Sequence, residues 1–429
     1  MTVHRLRTLL RSSLIKNGPE IRAFVTGNMP SFVTRATAPA AAEGVPVFVF
    51  HDVEPGWFEG QLRYLRSNGY RMLDADELEA RLRRPGQDHG RDVALTFDDA
   101  TWTFWAYAFP LLRRHKVRAT LFVIAGIVPD DPTSYPNLDD LWASRCSPAD
   151  IAARAKVQPL CTWRELQAMH DTGMVDIQSH SLTHALVPIS PRILDFVHPG
   201  FDAGAYANAN LPLSSSDDPR QPKRQLQLGA PVFEARSRLS GRPRFLDAPE
   251  FTQALVEHVA ARGGADFFKR GAWRRELAAV VDAWPEPRRG AFETPEQARA
   301  GIRDELALSK ETLESRLPGK AIRHFCYPRF DDCSLADELA AQVGYRTAHG
   351  GVCVRGRDGS ATPLRVQRIS EEYLFRLPGE GRGGIAPVWL NRVRGLVARS
   401  ARAVISNRVA GADAQRLSRA GQRLAEGGT

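Results

Sequence analysis

Two short stretches of this sequence hold residue types that could act together on a substrate: Thr96-Phe97-Asp98-Asp99 and His180-Ser181-Leu182-Thr183-His184. Adjacent carboxylates repel, and side chains at successive strand positions point to opposite sides. Such a pair is tolerable where one carboxylate binds a cation and its neighbour acts as a base. Alone, it reads as a turn or a helix N-cap, where aspartate is frequent. Positions i and i+4 of a helical turn share a face, so His180 and His184 could grip one metal ion, although HxxxH pairs also arise by chance. Together, one Asp and two His leave an open position for water, the usual build of a catalytic zinc site. Cobalt, nickel or iron could also occupy it. A metal there would acidify its water and polarise a carbonyl, while the spare carboxylate took the proton.

The elements that must position these residues follow from periodicity. Val47–Phe50 is a short apolar strand opened by Pro46 and ending at His51-Asp52. Val93–Phe97 runs into Asp98-Asp99, and Val175–Gln178 delivers Ser179-His180. Between them the pattern predicts a helix over Phe104–His115, a strand over Ala119–Val123 and a polar loop over Pro129–Pro148. Thr162 and Glu165 form a capping box for the next helix, which Gly173 closes. A later helix, Pro295–Leu317, precedes a strand over Ile322–Tyr327. This alternation indicates a parallel sheet with helices outside it, and the polar residues sit at strand ends, where α/β barrels keep their active sites. The expected division is a basic amphipathic segment (1–44), a first barrel part (45–187), an insertion (188–294), a second barrel part (295–378) and a basic tail (379–429). The insertion is expected to be mostly helical, with helices over Pro249–Arg262 and Phe267–Trp284 and a polar excursion over Asn208–Gln227.

These motifs resemble those of the polysaccharide deacetylase family, the carbohydrate esterases with a NodB homology domain. The family's TFDDG is matched by Thr96 to Ala100, with alanine for the last glycine, and its HSxxH by His180 to His184 in full. Thr162-Trp163-x-Glu165-Leu166 and Phe325-Cys326-Tyr327-Pro328 also look like the family. Phe48-Val49-Phe50-His51 resembles the opening of the exopolysaccharide poly-N-acetylglucosamine deacetylases, whose first strand ends in Tyr-His.

The resemblance implies an α/β fold of the distorted or incomplete (β/α) barrel type. It also implies metal-dependent removal of N-acetyl from an amino-sugar glycan or glycan precursor, in bacterial surface polysaccharide synthesis. Asp98 would be the general base, and Asp99, His180 and His184 would bind a divalent metal, zinc foremost. The backbone N–H of Arg329 would stabilise the oxyanion, and His51 would be the general acid, because no Leu-x-x-His motif is found. His349 sits in what reads as a loop. Cys326 stands where the family often has an arginine that orients the base, and it reads as a buried apolar thiol. Trp57, Trp102 and Trp105 are candidates for stacking on sugar rings, whereas Phe267, Phe268 and Trp273 read as packing of the insertion. Two other readings stay open: an inactive glycan- or partner-binding member, and a hydrolase of a formyl or O-acetyl group.

Composition bounds the setting. Five cysteines without a CxxC pair argue against a disulfide framework or a cysteine zinc site and fit a reducing compartment. The formal charge is +9, and the chain from residue 381 onward holds nine arginines against Asp413 and Glu426. No stacking aromatics or nucleic-acid motif accompany that excess, so the partners expected are an acetylated sugar or polysaccharide and, through basic helices at both termini, an anionic membrane surface. Arg5, Arg7 and Arg11 interrupt the apolar N-terminus, and no run of 18 apolar residues exists, so a cytoplasmic enzyme peripheral to the inner membrane is expected.

Overall fold

Short apolar runs form the first strands, Val47–Phe50 (β1), Arg71–Leu73 (β2), Asp92–Phe97 (β3), Ala119–Val123 (β4) and Val175–Ser179 (β5), and β1, β3 and β5 run on into polar residues. They belong to a computed structural model that describes residues 22–35, 44–84, 90–201, 227–351, 363–386 and 388. Leu186–Phe196 (β6), Pro231–Ser237 (β7), Phe245–Asp247 (β8) and Gly290–Phe292 (β9) follow in the insertion. The chain then forms His324–Cys326 (β10), Thr347–His349 (β11), Leu364–Val366 (β12) and Ile369–Ser370 (β13).

The main sheet is parallel, in the order β12-β11-β10-β5-β4-β3-β1-β13, with β2 paired to β3. Its two outermost strands are joined by only Gln367 and Arg368. A flat sheet of eight strands would set its edges about 34 Å apart at ~4.8 Å per gap. Three residue steps from Val366 to Ile369 span at most about 11 Å. The sheet is therefore rolled into a distorted, incomplete (β/α) barrel, and Arg368 sits at the seam.

Period-2 alternation divides the side chains between the two faces. Phe48, Phe50, Leu95, Phe97, Leu121, Val123, Ile177 and Phe325 join the large core beneath the helices. Their neighbours turn inward: Val47, Leu73, Ala94 and Val366 form a small apolar plug. Above it the lining is polar, with Thr96, Thr120, Gln178, His180, His324, Cys326, Thr347 and His349 all buried. One end of this lining is hydrogen-bonded through, from Asp76 Oδ1 to His324 Nε2 (3.1 Å), His324 Nδ1 to Thr347 Oγ1 (2.8 Å) and Thr347 Oγ1 to His349 Nε2 (3.1 Å).

Local signals account for much of the helical layer. Thr162 and Glu165 make the expected reciprocal capping box on the helix Trp163–Asp171, and Gly173 has φ 65° beyond its end. Glu165 also takes a buried bidentate pair from Arg154, at 2.6 and 2.7 Å. The expected Pro129–Pro148 loop contains a short helix, Leu138–Trp142, started by an Asn137–Asp140 capping box.

The insertion differs from the mostly helical expectation. Helices Pro249–Ala260 and Trp273–Asp282 form, but so do two antiparallel pairs, β6 with β7 and β8 with β9. Pro188 and Pro191 in β6 argue against a strand by sequence. A two-stranded ribbon leaves each strand one free edge, and the register shifts between Pro188 and Ile193 absorb the missing donors. Phe267 and Trp273 are buried in a separate apolar cluster with Phe196, Phe233 and Phe251, as packing residues would be. The basic helices expected over Met1–Ile15 and Val388–Val404 lie, apart from Val388, outside the described residues. Among the described residues no helix is long and apolar enough to cross a membrane.

Candidate active site

Each residue singled out by motif sits at the same end of the rolled sheet. Asp98 and Asp99 follow β3, His180 follows β5, His51 follows β1, and Arg329 lies just past β10. Backbone bonds extend the ladder into the site: Asp98 N–H donates to Phe50 C=O (2.9 Å) and His180 N–H to Val123 C=O (2.8 Å). The turns beyond the strands are tight. Of the eight described non-glycine residues with positive φ, six are here: Asp99, Ala100, Ser181, His184, Arg329 and Phe330. Left-handed backbone at such residues costs on the order of 1–2 kcal/mol each and gathers at functional sites. Ala100, standing for the glycine of TFDDG, carries φ 51°.

Two overlapping groups, Asp99-His180-His184 and Asp98-His180-Cys326, could hold a cation, and the first is the one the motifs single out. Asp99 Oδ1 lies 3.4 Å from His180 Nε2 and 3.8 Å from His184 Nε2. A tetrahedral centre with bonds of ~2.1 Å separates its ligand atoms by about 3.4 Å. Asp99 Oδ1 is buried without a hydrogen-bond partner, an orphan acceptor that a cation would satisfy. His180 Nδ1 sits 3.0 Å from the Cys326 carbonyl, which holds the ring so that Nε2 faces the site. Burial pushes His184 down to about 3, with His180 adding to the shift, so its imidazole is neutral and free to ligate at neutral pH. Burial also opposes charge on His180, yet Cys326, Asp98 and Asp99 draw its proton affinity well above 6.5. That pull marks a strongly negative site, and a divalent cation suits it as well as a proton does.

Asp98 is the carboxylate that the metal set leaves over. Arg368 donates from Nη1 to Asp98 Oδ1 (2.7 Å) and from Nη2 to Oδ2 (2.8 Å), a buried bidentate pair. Burial would raise the Asp98 carboxyl, but Arg368 and His180 outweigh it and hold it at about 2. Sequence reasoning misses Arg368. It places Cys326 where a base-orienting arginine belongs and reads it as an isolated apolar thiol. Cys326 is buried, but its Sγ accepts from Arg368 Nη2 at 2.9 Å and lies 3.7 Å from Asp98 Oδ2, so it packs beneath the pair. An arginine between two short β-runs, Leu364–Val366 and Ile369–Ser370, is the one signal the sequence offers for it.

The rim is more open. His51 is exposed, and its carbonyl accepts from Thr101 Oγ1 at 3.3 Å, which ties the end of β1 to the loop after Asp99. In the Pro328–Phe330 turn the hydrogen bonds run from Phe330 N to Tyr327 O and from Asp331 N to Pro328 O, and the Arg329 N–H is not part of them. The Arg329 side chain lies exposed at the edge of the site, where Asp99 and Asp331 act on it. His349 is in a strand rather than a loop. It is fully buried against Phe122, with ring centroids 4.7 Å apart, and burial with Arg368 nearby keeps it neutral. Trp57 is 44% exposed, whereas the Trp105 indole N–H is taken by the Tyr135 carbonyl.

A further cluster of ligand-type residues, Asp76, Glu79 and His324, occupies the other end of the barrel. Arg323 pairs with Asp76 (3.4 Å) and Arg83 with Glu79 (2.8 Å), so ion pairing already satisfies it.

The family model described as polysaccharide deacetylase matches residues 86–198, the segment holding both Asp98-Asp99 and His180–His184. A poly-beta-1,6-N-acetyl-D-glucosamine N-deacetylase of Staphylococcus aureus is 27% identical over 140 residues, which cover 33% of this chain and 40% of that protein. The match thus spans well under half the length of that curated relative. Among solved structures, a de-N-acetylase from Aggregatibacter actinomycetemcomitans aligns with 13% identity and a TM-score of 0.44, over 81% of this chain and 99% of that one. IcaB from Ammonifex degensii aligns with 19% identity and a TM-score of 0.41, over 77% and 92%. Residues 86–198, which carry both motifs and bring them to one site, match the polysaccharide deacetylase family.

Proposed function

We propose that this protein is a metal-dependent deacetylase that hydrolyses N-acetyl groups on a polymer of N-acetylglucosamine. One observation carries the reading: both oxygens of Asp98 are engaged by Arg368, while Asp99 Oδ1 and the Nε2 atoms of His180 and His184 converge without a partner of comparable strength. That contrast assigns the two adjacent carboxylates to different tasks. The polymer is named from the Staphylococcus relative.

A divalent metal held by Asp99, His180 and His184 would supply an acidified water and polarise the acetyl carbonyl. Asp98, kept ionised by Arg368 and 3.9 Å from His180 Nε2, takes the proton from the attacking water. The Arg329 N–H, turned by its left-handed backbone, donates to the developing oxyanion, a contribution of about 3–4 kcal/mol for such donors. His51 at the open rim protonates the departing amine. The complete constellation favours an enzyme over an inactive binding member.

Acetate release tests the proposal. The purified protein should hold about one divalent metal per chain and release acetate from poly-β-1,6-N-acetylglucosamine. His180→Ala should lose both properties. His51→Gln should keep the metal and lose about 10²–10⁴-fold in rate. Metal-loaded wild type that frees no acetate from any N-acetylated glycan would overturn the reading, and formate or O-acetyl release in its place would redirect it.

A further inference from the structure

The turn that carries His180 and His184 is short, buried and left-handed at both Ser181 (φ 68°) and His184 (φ 55°). Such a turn keeps its shape only if its backbone polar groups are satisfied by something rigid. Two sources do this. The Ala125–Ile127 segment donates from Ala125 N to Ser181 O (3.2 Å) and from Gly126 N to Leu182 O (2.7 Å). A Cβ on Gly126 would lie 2.6 Å from Leu182 O, so only glycine fits there.

The second source is the helix Pro295–Arg316. Its Ser309 hydroxyl meets the Ser179 hydroxyl at 2.7 Å, and one helical turn earlier Glu305 takes both donors of Thr183 on a single oxygen. Thr183 N and Thr183 Oγ1 lie 2.7 and 2.8 Å from Glu305 Oε1. A hydroxyl has one proton to give. With that proton committed to Glu305, the Thr183 oxygen presents its lone pairs to the Ala185 N–H at 3.2 Å, immediately after His184. Glu305 is 7% exposed and takes no part in the chemistry, and Arg238 is the cation whose charge acts on it. A carboxylate buried this deeply is stable only where its oxygens are hydrogen-bonded, and Thr183 supplies two such bonds.

We propose that Glu305 is a positioning residue for the metal: it clamps Thr183 so that His180 and His184 hold their ligating geometry. The inference rests on the metal reading above and adds a residue from outside both motifs. Groups that orient ligands from behind typically change metal affinity by about 10–100-fold when removed.

The test is Zn²⁺ affinity by chelator competition on the full chain, alongside urea unfolding of the metal-free protein. Glu305→Ala should bind Zn²⁺ about 10–100-fold more weakly, and Thr183→Val, which keeps the N–H bond and loses the hydroxyl, should fall in between. Glu305→Gln retains Oε1 and both Thr183 bonds, so it should bind within a few-fold of wild type. Folded Glu305→Ala with wild-type affinity would make the clamp purely a matter of stability and overturn the proposal. Loss in Glu305→Gln equal to that in Glu305→Ala would overturn it too, because charge and not geometry would then govern. If Glu305→Ala does not fold, the Gln and Val variants decide by the same ordering. Wild type that binds no divalent metal would instead defeat the functional reading itself.

Discussion

Replacing Asp98 with Asn should cut acetate release by about 10²–10⁴-fold, the range for losing a positioned general base, while the metal content stays that of wild type. Asparagine keeps the shape of the side chain and can still accept one hydrogen bond from Arg368. It cannot take a proton from water, and its amide nitrogen faces a guanidinium nitrogen that also donates. Arg368 is left as a buried cation without its counter-ion, so the variant should also unfold at lower denaturant. The two effects are separable, because Asp99, His180 and His184 are untouched: metal analysis and circular dichroism at a temperature below unfolding establish that the site is intact before rates are compared. Activity within a few-fold of wild type in metal-loaded Asp98→Asn would remove Asp98 from the role of base.

The second large effect belongs to Arg368. Arg368→Met fills similar volume but leaves Asp98 ionised and alone in the barrel interior, where breaking a buried pair costs about 3–5 kcal/mol. The loss should depend on pH in a definite direction. In the native protein burial raises the Asp98 carboxyl, and Arg368 more than reverses that, holding it at about 2 against an ordinary 3.8. A depressed carboxyl contributes stability that is present above its unfolded value and disappears as pH falls through the folded one. Wild type should therefore lose this contribution between about pH 4 and pH 2. In Arg368→Met the carboxyl is raised, so protonation relieves the unpaired charge at a higher pH. Urea midpoints of wild type and variant should differ most at neutral pH and converge in acid. A gap that does not narrow would show that Arg368 supports the fold by packing alone. Arg368→Lys separates charge from geometry: an ammonium restores the counter-charge but not the two parallel bonds, so stability should recover more than rate does.

Much of the site is legible in the sequence, because its residues are local. Asp98-Asp99 and His180–His184 are each one strand end and one turn, and strand ends are marked by where an apolar run stops. The Thr162–Glu165 capping box is legible for the same reason, since its two hydrogen bonds join residues three apart. Arg368 is not legible. It reaches Asp98 across 270 positions, and nothing near either residue signals the other. The inner face of the barrel is hidden in a similar way: β3 is buried at all six positions, so its polar and apolar sides do not separate by exposure. His349, which reads as part of a loop, belongs to a three-residue strand whose stability comes from its neighbours and not from its own run.

By itself, then, the sequence determined which side chains can do chemistry and that strands deliver them, because strand periodicity and capping depend on residues a few positions apart. The tertiary structure decided how the two carboxylates are partnered. Rolling the sheet until β12 and β13 are separated by two residues brings Arg368 onto Asp98 and leaves Asp99 facing two imidazoles. Pairing at a buried charge is a long-range electrostatic choice, and only the closed barrel brings the partners within hydrogen-bonding distance.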